Sequence, residues 1–219
     1  MKLLRRIKTF LLCPLGVLLL FSACGTAGGI AAPVGASRGA ESRPVANSGS
    51  SFAKTALSRR FPGYRYDGKD PVEKLAYETE TGRSRVDRDG CFVVVSPKVI
   101  DTSEEQGLLK VFVISYGKGY KIYNDDTVYT DSGWNIPVAV TYRKQPGGSY
   151  VMEKYEMPED GGGYADSIRA FCKTPATGTE IAGLPEKMTR PYDLGKNLNA
   201  NLQKYLKKNK LDNVKMMDG

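Results

Sequence analysis

Residues 134–143 read WNIPVAVTYR, and this alternating stretch decides the fold class. Successive side chains of a β-strand point to opposite faces, so every second residue shares a face. Pro137 has no backbone N–H, which favours an edge position or a bulge at that point. One face of the predicted strand is apolar and carries Trp134, Ile136, Val138, Val140 and Tyr142.

Three further stretches predict neighbouring strands, because β-branched and apolar residues dominate them. They are residues 91–100 (CFVVVSPKVI), 108–116 (LLKVFVISY) and 149–157 (SYVMEKYEM). The sequence Pro-Gly-Gly at 146–148 is typical of a turn, so the last of these strands should form a hairpin with residues 134–143.

Glycines and an acidic run interrupt this pattern between the second and third long strands. The sequences Tyr-Gly-Lys-Gly-Tyr at 116–120 and Asn-Asp-Asp at 124–126 are both typical of turns. Residues 120–123 would then form a short strand between the two turns. The predicted sheet is therefore a meander of about four long antiparallel strands.

Helix signals flank the strands on both sides. The sequence Asp-Pro-Val-Glu at 70–73 supplies an N-cap, a first-turn proline and a capping-box glutamate, which predicts a helix over residues 71–79. Apolar residues at helical spacing predict two more helices, near residues 164–171 and over 194–208. The fold class is thus α+β, with an N-terminal helix packed on the sheet and C-terminal helices. The last helix would bury Leu194, Leu198, Leu202, Tyr205 and Leu206.

The N-terminus has the three parts of a bacterial targeting signal. A basic start precedes an apolar stretch over residues 10–21, and two small residues follow it. These 12 residues are too few to cross a bilayer, which needs about 20 helical residues. The segment is therefore interpreted as a targeting peptide and not as a transmembrane helix.

The run from Leu18 to Gly25 resembles the lipobox of bacterial lipoproteins, with Phe21 where leucine is usual. The resemblance implies that residues 1–23 are removed and that Cys24 is acylated. The protein would then be held on the outer face of the cell membrane, since two or more acyl chains give stable anchoring. The alternative is an ordinary secretory peptide, cut near Ala23 or Ala32, that releases a free protein.

Residues 24–53 are predicted to be a disordered tether. Glycine, alanine and serine make up 17 of the 27 residues from 25 to 51, so the segment cannot bury enough apolar surface to offset its ordering entropy. A flexible chain of that length spans roughly 29 Å in the root mean square. Residues 54–219 are long enough for a single domain with one core.

The formal charge of +8 belongs to the segments before the domain. Residues 1–23 hold four basic side chains, and residues 24–60 hold five basic and one acidic, whereas residues 61–219 hold 23 of each sign. A neutral domain lacks the basic excess typical of nucleic-acid binding, so no nucleic-acid partner is predicted. The basic residues of the tether would instead lie near anionic lipid headgroups.

Two cysteines, Cys91 and Cys172, fall within the domain. An extracytoplasmic location permits a disulfide between them. However, Cys91 opens an apolar strand and Cys172 follows the apolar face of a short helix, so two separately buried thiols are the preferred prediction.

The sequence contains no histidine, which argues against an enzyme. This absence removes the Ser-His and Cys-His nucleophiles, and with them the histidine zinc sites. No cofactor-binding motif is present, and the acidic turn near residues 124–131 lacks the glycine and glutamate of an EF-hand loop, so neither a cofactor nor a metal is predicted. The enzymatic alternative is a wall-directed hydrolase that uses paired carboxylates. Its candidates are Glu153, Glu156, Glu159, Asp160 and Asp166.

The aromatic content points to binding instead. Thirteen tyrosines and one tryptophan are present, and tyrosine offers flat apolar area with a polar tip, which suits binding surfaces as well as strand packing. A non-catalytic module that binds a membrane protein, a peptide or a wall glycan on the concave side of its sheet is the preferred hypothesis. The candidate partner-binding residues are Tyr116, Tyr120, Tyr129 and Trp134.

One family resemblance lies in the second half of the domain. The pattern spans residues 155–171, with Tyr155, Pro158, Asp160 and Gly161 followed by Tyr164, Ser167, Ile168, Arg169 and Phe171. It resembles an uncharacterised extracytoplasmic domain of Firmicutes, found in small lipoproteins and behind membrane metallopeptidases similar to β-lactam sensors. The resemblance implies an extracytoplasmic location and a cystatin-like or NTF2-like shape, and it implies no activity.

Overall fold

Two long antiparallel strands form the centre of the structure. The computed structural model describes residues 55–217, so the predicted signal peptide, Cys24 and the tether lie outside the described residues. The strands are β1 (Cys91–Val95), β2 (Lys98–Glu105), β3 (Leu108–Ile122), β4 (Thr127–Lys144), β5 (Tyr150–Glu156) and β6 (Lys215–Met217). The helices are α1 (Pro71–Arg83), α2 (Tyr164–Phe171), α3 (Leu184–Thr189) and α4 (Gly195–Lys208).

The sheet is mixed and has six strands, which corrects the predicted meander of about four antiparallel strands. Its main order is β1-β3-β4-β5, and β2 also pairs with β3. All of these pairings are antiparallel. The short strand β6 adds a parallel pairing with the start of β4, which makes the sheet mixed. The α+β class predicted from the sequence is confirmed.

The predicted strand over residues 91–100 is divided in two at Ser96 and Pro97. β1 pairs with the second half of β3, and β2 pairs with the first half, so both lie along one edge of the same strand. Ser96 keeps one cross-strand bond, because its N–H donates to the carbonyl of Tyr116 at 2.7 Å. Pro97 cannot donate a ladder bond, and the strand is interrupted there.

The turn predicted at residues 116–120 is wrong, because β3 runs straight through it. Gly117 pairs with Trp134, and Gly119 pairs with Ser132. A Cβ at Gly117 would overlap the indole of Trp134, and one at Gly119 would overlap the Ser132 hydroxyl. These glycines therefore allow close cross-strand approach and do not reverse the chain. The predicted turn at 124–126 is confirmed.

Pro137 lies at a locally open edge of β4, as its missing N–H predicts. β5 pairs with residues 139–144 and β6 with residues 127–129, both on the side of β4 away from β3. Within the described chain, no strand covers that side between these two pairings. A register shift opposite Gly119 adds a bulge to the same open stretch. A proline and a bulge both discourage edge-to-edge aggregation.

Helix α1 begins as the sequence predicts and ends four residues later than expected. The Asp70 side chain accepts hydrogen bonds from the N–H groups of Val72 and Glu73, each at 2.8 Å, which caps the first turn. The helix packs on one face of the sheet, which we call the first face, where Ala76 meets a cluster of strand residues. That cluster contains Leu109, Val111, Val113, Val138, Val140 and Tyr142.

The opposite, second face of the sheet is covered by the C-terminal helices. α2 and α3 pack over Phe112 and Ile114 of β3, and α4 packs against β1 and the aromatic residues Phe92 and Tyr120. Leu202 is only 4% exposed. The five apolar residues predicted to be buried by the last helix are all buried. Both faces of the sheet are thus covered by helices along part of their length, and the concave face expected as a binding surface is not open there.

Candidate binding cleft

Residues 62–67, which we call the strap, separate two cavities. The strap lies close to the start of the described chain. The cavity on the α4 side has a volume of about 380 Å³, and the cavity on the α1 side has a volume of about 570 Å³. Both cavities share Pro62, Gly63, Tyr64 and Arg65 as lining residues. The strap has no regular secondary structure, so its position depends on side-chain contacts.

Contacts with both helices hold the strap. The Tyr205 hydroxyl donates to the carbonyl of Pro62 at 2.7 Å, and Lys204 forms an ion pair with Asp67 at 3.1 Å. On the α1 side, the ring of Tyr66 stacks on Tyr77 with centroids 4.4 Å apart. The strap is therefore tied to α4 at two points and to α1 by an aromatic stack.

The cavity on the α4 side, which we call the cleft, has an aromatic floor and a basic rim. Tyr64 and Tyr205 are both buried and form the floor, whereas Arg65, Lys204 and Lys208 are exposed at the rim. Burial raises the pKa of both Tyr64 and Tyr205, so their phenols stay neutral. This arrangement suits a ligand that combines an anionic group with a flat or apolar part.

The charge at the rim is only partly compensated. Lys204 has Asp67 as its partner. Neither Arg65 nor Lys208 forms an ion pair within the described part of the chain. Two cations are thus available to an incoming anion, and one of them, the guanidinium of Arg65, can bind a carboxylate through two parallel hydrogen bonds.

The cavity on the α1 side contains a buried polar atom without a partner. The Oγ1 atom of Thr81 makes no hydrogen bond to any group between residues 55 and 217. Its methyl group lies under the strap, where a Cβ at Gly63 would come within 2.8 Å of it. The close approach of strap and α1 therefore depends on glycine at position 63.

The four aromatic residues predicted as a partner surface do not form one surface. Tyr120 is only 3% exposed and stacks on Phe92 at 5.2 Å between centroids, so it belongs to the core. Tyr116 is also on the second face and is partly buried. Tyr129 and Trp134 pair with Lys121 and Gly117, which places them on the first face. The aromatic residues that line the cleft, Tyr64 and Tyr205, were not among those predicted.

A buried carboxylate, Glu80, connects α1 to the sheet. It is 4% exposed and accepts hydrogen bonds from the hydroxyls of Ser115 and Tyr155. The indole N–H of Trp134 donates to the same Ser115 oxygen at 2.9 Å. Burial raises the pKa of Glu80, and the hydrogen bonds from Ser115 and Tyr155 offset part of that effect.

Sequence reasoning did not identify Glu80, because a glutamate in a short charged helix normally faces water. The available signal was its spacing. Glu80 follows Ala76 by four residues, so it lies on the same face of α1 as that buried alanine. Trp134, by contrast, was singled out from the sequence, and its role in the structure is to cover Gly117 and to support this network.

The carboxylates considered for a hydrolase are engaged in ion pairs in three of five cases. Glu153 contacts Arg143, and Asp166 contacts Arg169. Glu156 lies between the ammonium groups of Lys110, at 3.0 Å, and Lys154, at 2.7 Å. The two cavities beside the strap are lined by other residues, so neither brings these carboxylates together. The remaining two are Glu159 and Asp160, both exposed.

Cys91 and Cys172 are both buried free thiols. Cys172 lies in the cluster under α2 and α3, beside Phe112 and Ile168. Burial raises the pKa of Cys172 to about 12, which keeps it a neutral thiol. A neutral, buried thiol is a poor nucleophile.

The described residues offer no obvious metal site or membrane span. Between residues 55 and 217, no three cysteine, aspartate or glutamate side chains are grouped so that they could hold a metal ion. Asp131, at the acidic turn, pairs instead with Arg88 at 3.4 Å. Among the helices of the same residues, none has both the length and the apolar character needed to cross a bilayer.

Comparisons of the chain with models of protein families, with curated proteins and with solved structures returned no match. The likeness to the extracytoplasmic domain of Firmicutes therefore stays a prediction. In the described residues, the cleft is where cations without an ion-pair partner and aromatic rings meet.

Proposed function

We propose that the protein is a lipid-anchored, extracytoplasmic binding module of the bacterial cell envelope. Two independent features support the two parts of this proposal. The lipobox-like run that ends at Cys24 supports the anchor. The cleft, with Tyr64 and Tyr205 below and Arg65 and Lys208 at its rim, supports binding. The cleft is the single observation that carries the functional conclusion.

The ligand that fits this cleft best is a fragment of wall glycan with an acidic peptide. Binding pockets for small ligands occupy about 300 to 1,000 Å³, and the cleft lies within that range. Its aromatic floor suits the apolar face of a sugar ring, and its cations suit a carboxylate. A tether of the predicted length would keep the domain near the membrane surface.

The proposed role is non-catalytic. The sequence has no histidine, and Glu153, Glu156 and Asp166 each form an ion pair with a cationic side chain. A glycosidase needs one carboxyl group as an acid and a second as a nucleophile or base. The ion pairs make Glu153, Glu156 and Asp166 poor choices for either role, and the other two candidates, Glu159 and Asp160, line neither cavity beside the strap.

We also propose that the domain has a cystatin-like or NTF2-like arrangement and belongs with the extracytoplasmic domain that it resembles. The support is the pair of long antiparallel strands, β3 and β4, with α1 on their first face. The residues that carry the resemblance are structural in part, since Ile168 and Phe171 are the buried residues of α2 and pack in the cluster with Phe112. A fold of this kind would not by itself define a ligand.

The proposal is tested by titrating the processed protein, solubilised from its membrane in detergent, with muropeptides released from peptidoglycan by lysozyme. The double variant Arg65→Ala/Lys208→Ala should weaken binding by at least about tenfold. Arg190→Ala removes an exposed charge outside the cleft and should bind as the wild type does. Equal affinities of the wild type and the double variant would overturn the assignment of the cleft.

A further inference from the structure

The C-terminal part of the domain exposes apolar and basic side chains side by side. Met216 is 39% exposed and Met217 is 47% exposed, although both belong to the short strand β6. Lys207, Lys210 and Lys215 are exposed in the same region. We call these five residues the C-terminal patch.

An apolar groove lies between α4 and the segment that leads to β6. Its volume is about 340 Å³. Leu206, Leu211 and Val214 contribute its apolar lining, Met216 lies at one side, and Lys207 lies at the rim. Apolar side chains bordered by lysines are typical of surfaces that lie in the interface of a bilayer, because the lysine stems cover apolar area while the ammonium groups reach the headgroups.

The charge of this region is positive. Residues 195–211 contain no acidic residue, and Lys207 and Lys210 form no ion pair within the described residues. The acidic residues nearby are Asp212, the pair Asp125 and Asp126 at the β3–β4 turn, and Asp218, which follows Met217 in the sequence. Five lysines outnumber these four carboxylates. The lysines are Lys121, Lys207, Lys208, Lys210 and Lys215.

The start of the described chain lies at the same end of the sheet as the patch. Ala56 forms a β-bridge with Tyr123, directly after β3. The ring of Tyr123 contacts Tyr129 with centroids 5.4 Å apart, and Tyr129 pairs with Met217 in the sheet. A tether that leads from Cys24 to residue 55 would therefore join the domain at the end that carries the patch.

We propose that the C-terminal patch docks on a bilayer that contains anionic phospholipid. The lysines would contact the headgroups, and Met216 and Met217 would enter the interface between headgroups and acyl chains. The orientation of the docked domain rests on the proposed anchor at Cys24. The affinity of the patch for anionic lipid does not rest on it, so the two proposals can fail separately.

The test uses the chain from residue 24 onward, produced without the predicted signal peptide and with Cys24→Ser so that no acyl chain contributes, and measures its binding to vesicles. Vesicles of phosphatidylcholine alone are compared with vesicles of phosphatidylcholine mixed with phosphatidylglycerol. The protein should bind the mixed vesicles in preference, and salt should weaken that binding. Lys207→Glu/Lys215→Glu should lower the partition coefficient by at least about tenfold, since each lysine near an anionic surface contributes about fivefold.

Matched controls lie elsewhere on the same domain. Lys196→Glu reverses a charge at the other end of α4, and Met152→Ser removes an exposed methionine from β5; both should bind as the wild type does. Met216→Ser/Met217→Ser should weaken binding to mixed vesicles without changing its salt dependence. Unchanged melting temperatures would show that each variant is folded, and Met217→Ser alone replaces the pair if the double variant melts early.

Three results would overturn the proposal. The first is equal binding to both kinds of vesicle. The second is a loss with Lys196→Glu as large as the loss with the patch variants, which would indicate only general charge attraction. The third is full binding by the methionine variants together with equally tight binding to a soluble polyphosphate, which would assign the patch to a polyanion and not to a bilayer.

Discussion

Trp134 lies directly across the strand from Gly117, and its indole ring occupies the space that a side chain at position 117 would need. The same indole donates to Ser115, which in turn donates to the buried carboxylate of Glu80. Gly117 thus leaves room for the Trp134 indole. Through that indole, β4 joins the hydrogen bonds that link Ser115 of the sheet to Glu80 of α1.

Gly117→Ala should destabilise the domain because its methyl group would displace the Trp134 ring. Inserting a group into a packed contact costs about 1 to 3 kcal/mol. Gly133→Ala is the matched control, since a Cβ there would meet only ordinary contacts, the nearest at 3.5 Å. Chemical denaturation followed by tryptophan fluorescence measures both variants. Equal stability of Gly117→Ala and the wild type would contradict the described packing of Trp134.

Glu80 should make the stability of the domain depend on pH. Its pKa in the fold is raised above the unfolded value of about 4.3, so the folded state retains a proton over a range where the unfolded state has released it. The free energy of unfolding should therefore fall as pH rises through the raised pKa, and this loss should be absent below the unfolded pKa.

Glu80→Gln removes this titration, so the unfolding free energy of the variant should vary less with pH than that of the wild type. Glu78→Gln, on the exposed side of the same helix, should keep the wild-type dependence. Urea unfolding at several pH values between about 4 and about 7 provides the measurement. Identical pH profiles for Glu80→Gln and the wild type would show that Glu80 does not titrate in this way.

Leu202 should be one of the residues that hold α4 to the sheet. It is buried in the cluster with Phe92 and Tyr120, so Leu202→Ala should cost about 2 to 4 kcal/mol of unfolding free energy. Lys207→Ala, on the exposed side of α4, should change stability by less than about 0.5 kcal/mol. Thermal and denaturant unfolding measure the stability of both variants. Equal losses in Leu202→Ala and Lys207→Ala would contradict the burial of Leu202.

The two domain cysteines should remain unpaired in the purified protein. Cys91 and Cys172 are both buried free thiols, so mobility on non-reducing and reducing gels should be the same. Cys172 should react slowly with a thiol reagent until the domain is unfolded, because burial raises the pKa of that thiol to about 12. A mobility shift on reduction that either Cys91→Ala or Cys172→Ala removes would establish a disulfide instead.

Local sequence signals predicted the parts of the fold that depend on local physics. The Asp70 cap, the alternation along β4 and the helical spacing of Leu198 and Leu202 each follow from the geometry of one element. The position at which β3 ends could not be predicted in this way. Glycines are typical of turns, and only the cross-strand neighbour of Gly117 shows that the strand continues through it. The partner of Gly117 is Trp134, 17 residues away on another strand.

The candidate site was harder to predict for the same reason. The cleft brings residues 62–67 beside Lys204 and Tyr205. These two parts of the chain are far apart in the sequence, since Lys204 and its partner Asp67 are separated by 137 positions. No local periodicity marks such a segment. Burial of Glu80 likewise depends on Ser115 and Tyr155, which come from two different strands.

The central claim, a lipid-anchored envelope module, is tested most directly by metabolic labelling of cells with a fatty-acid probe. The wild-type protein should incorporate the probe, whereas Cys24→Ala should incorporate none and should accumulate as unprocessed or shed protein. Cys91→Ala, which removes a buried thiol of the domain, should be labelled as the wild type is. Labelling that survives Cys24→Ala, or no labelling of the wild type, would contradict the account.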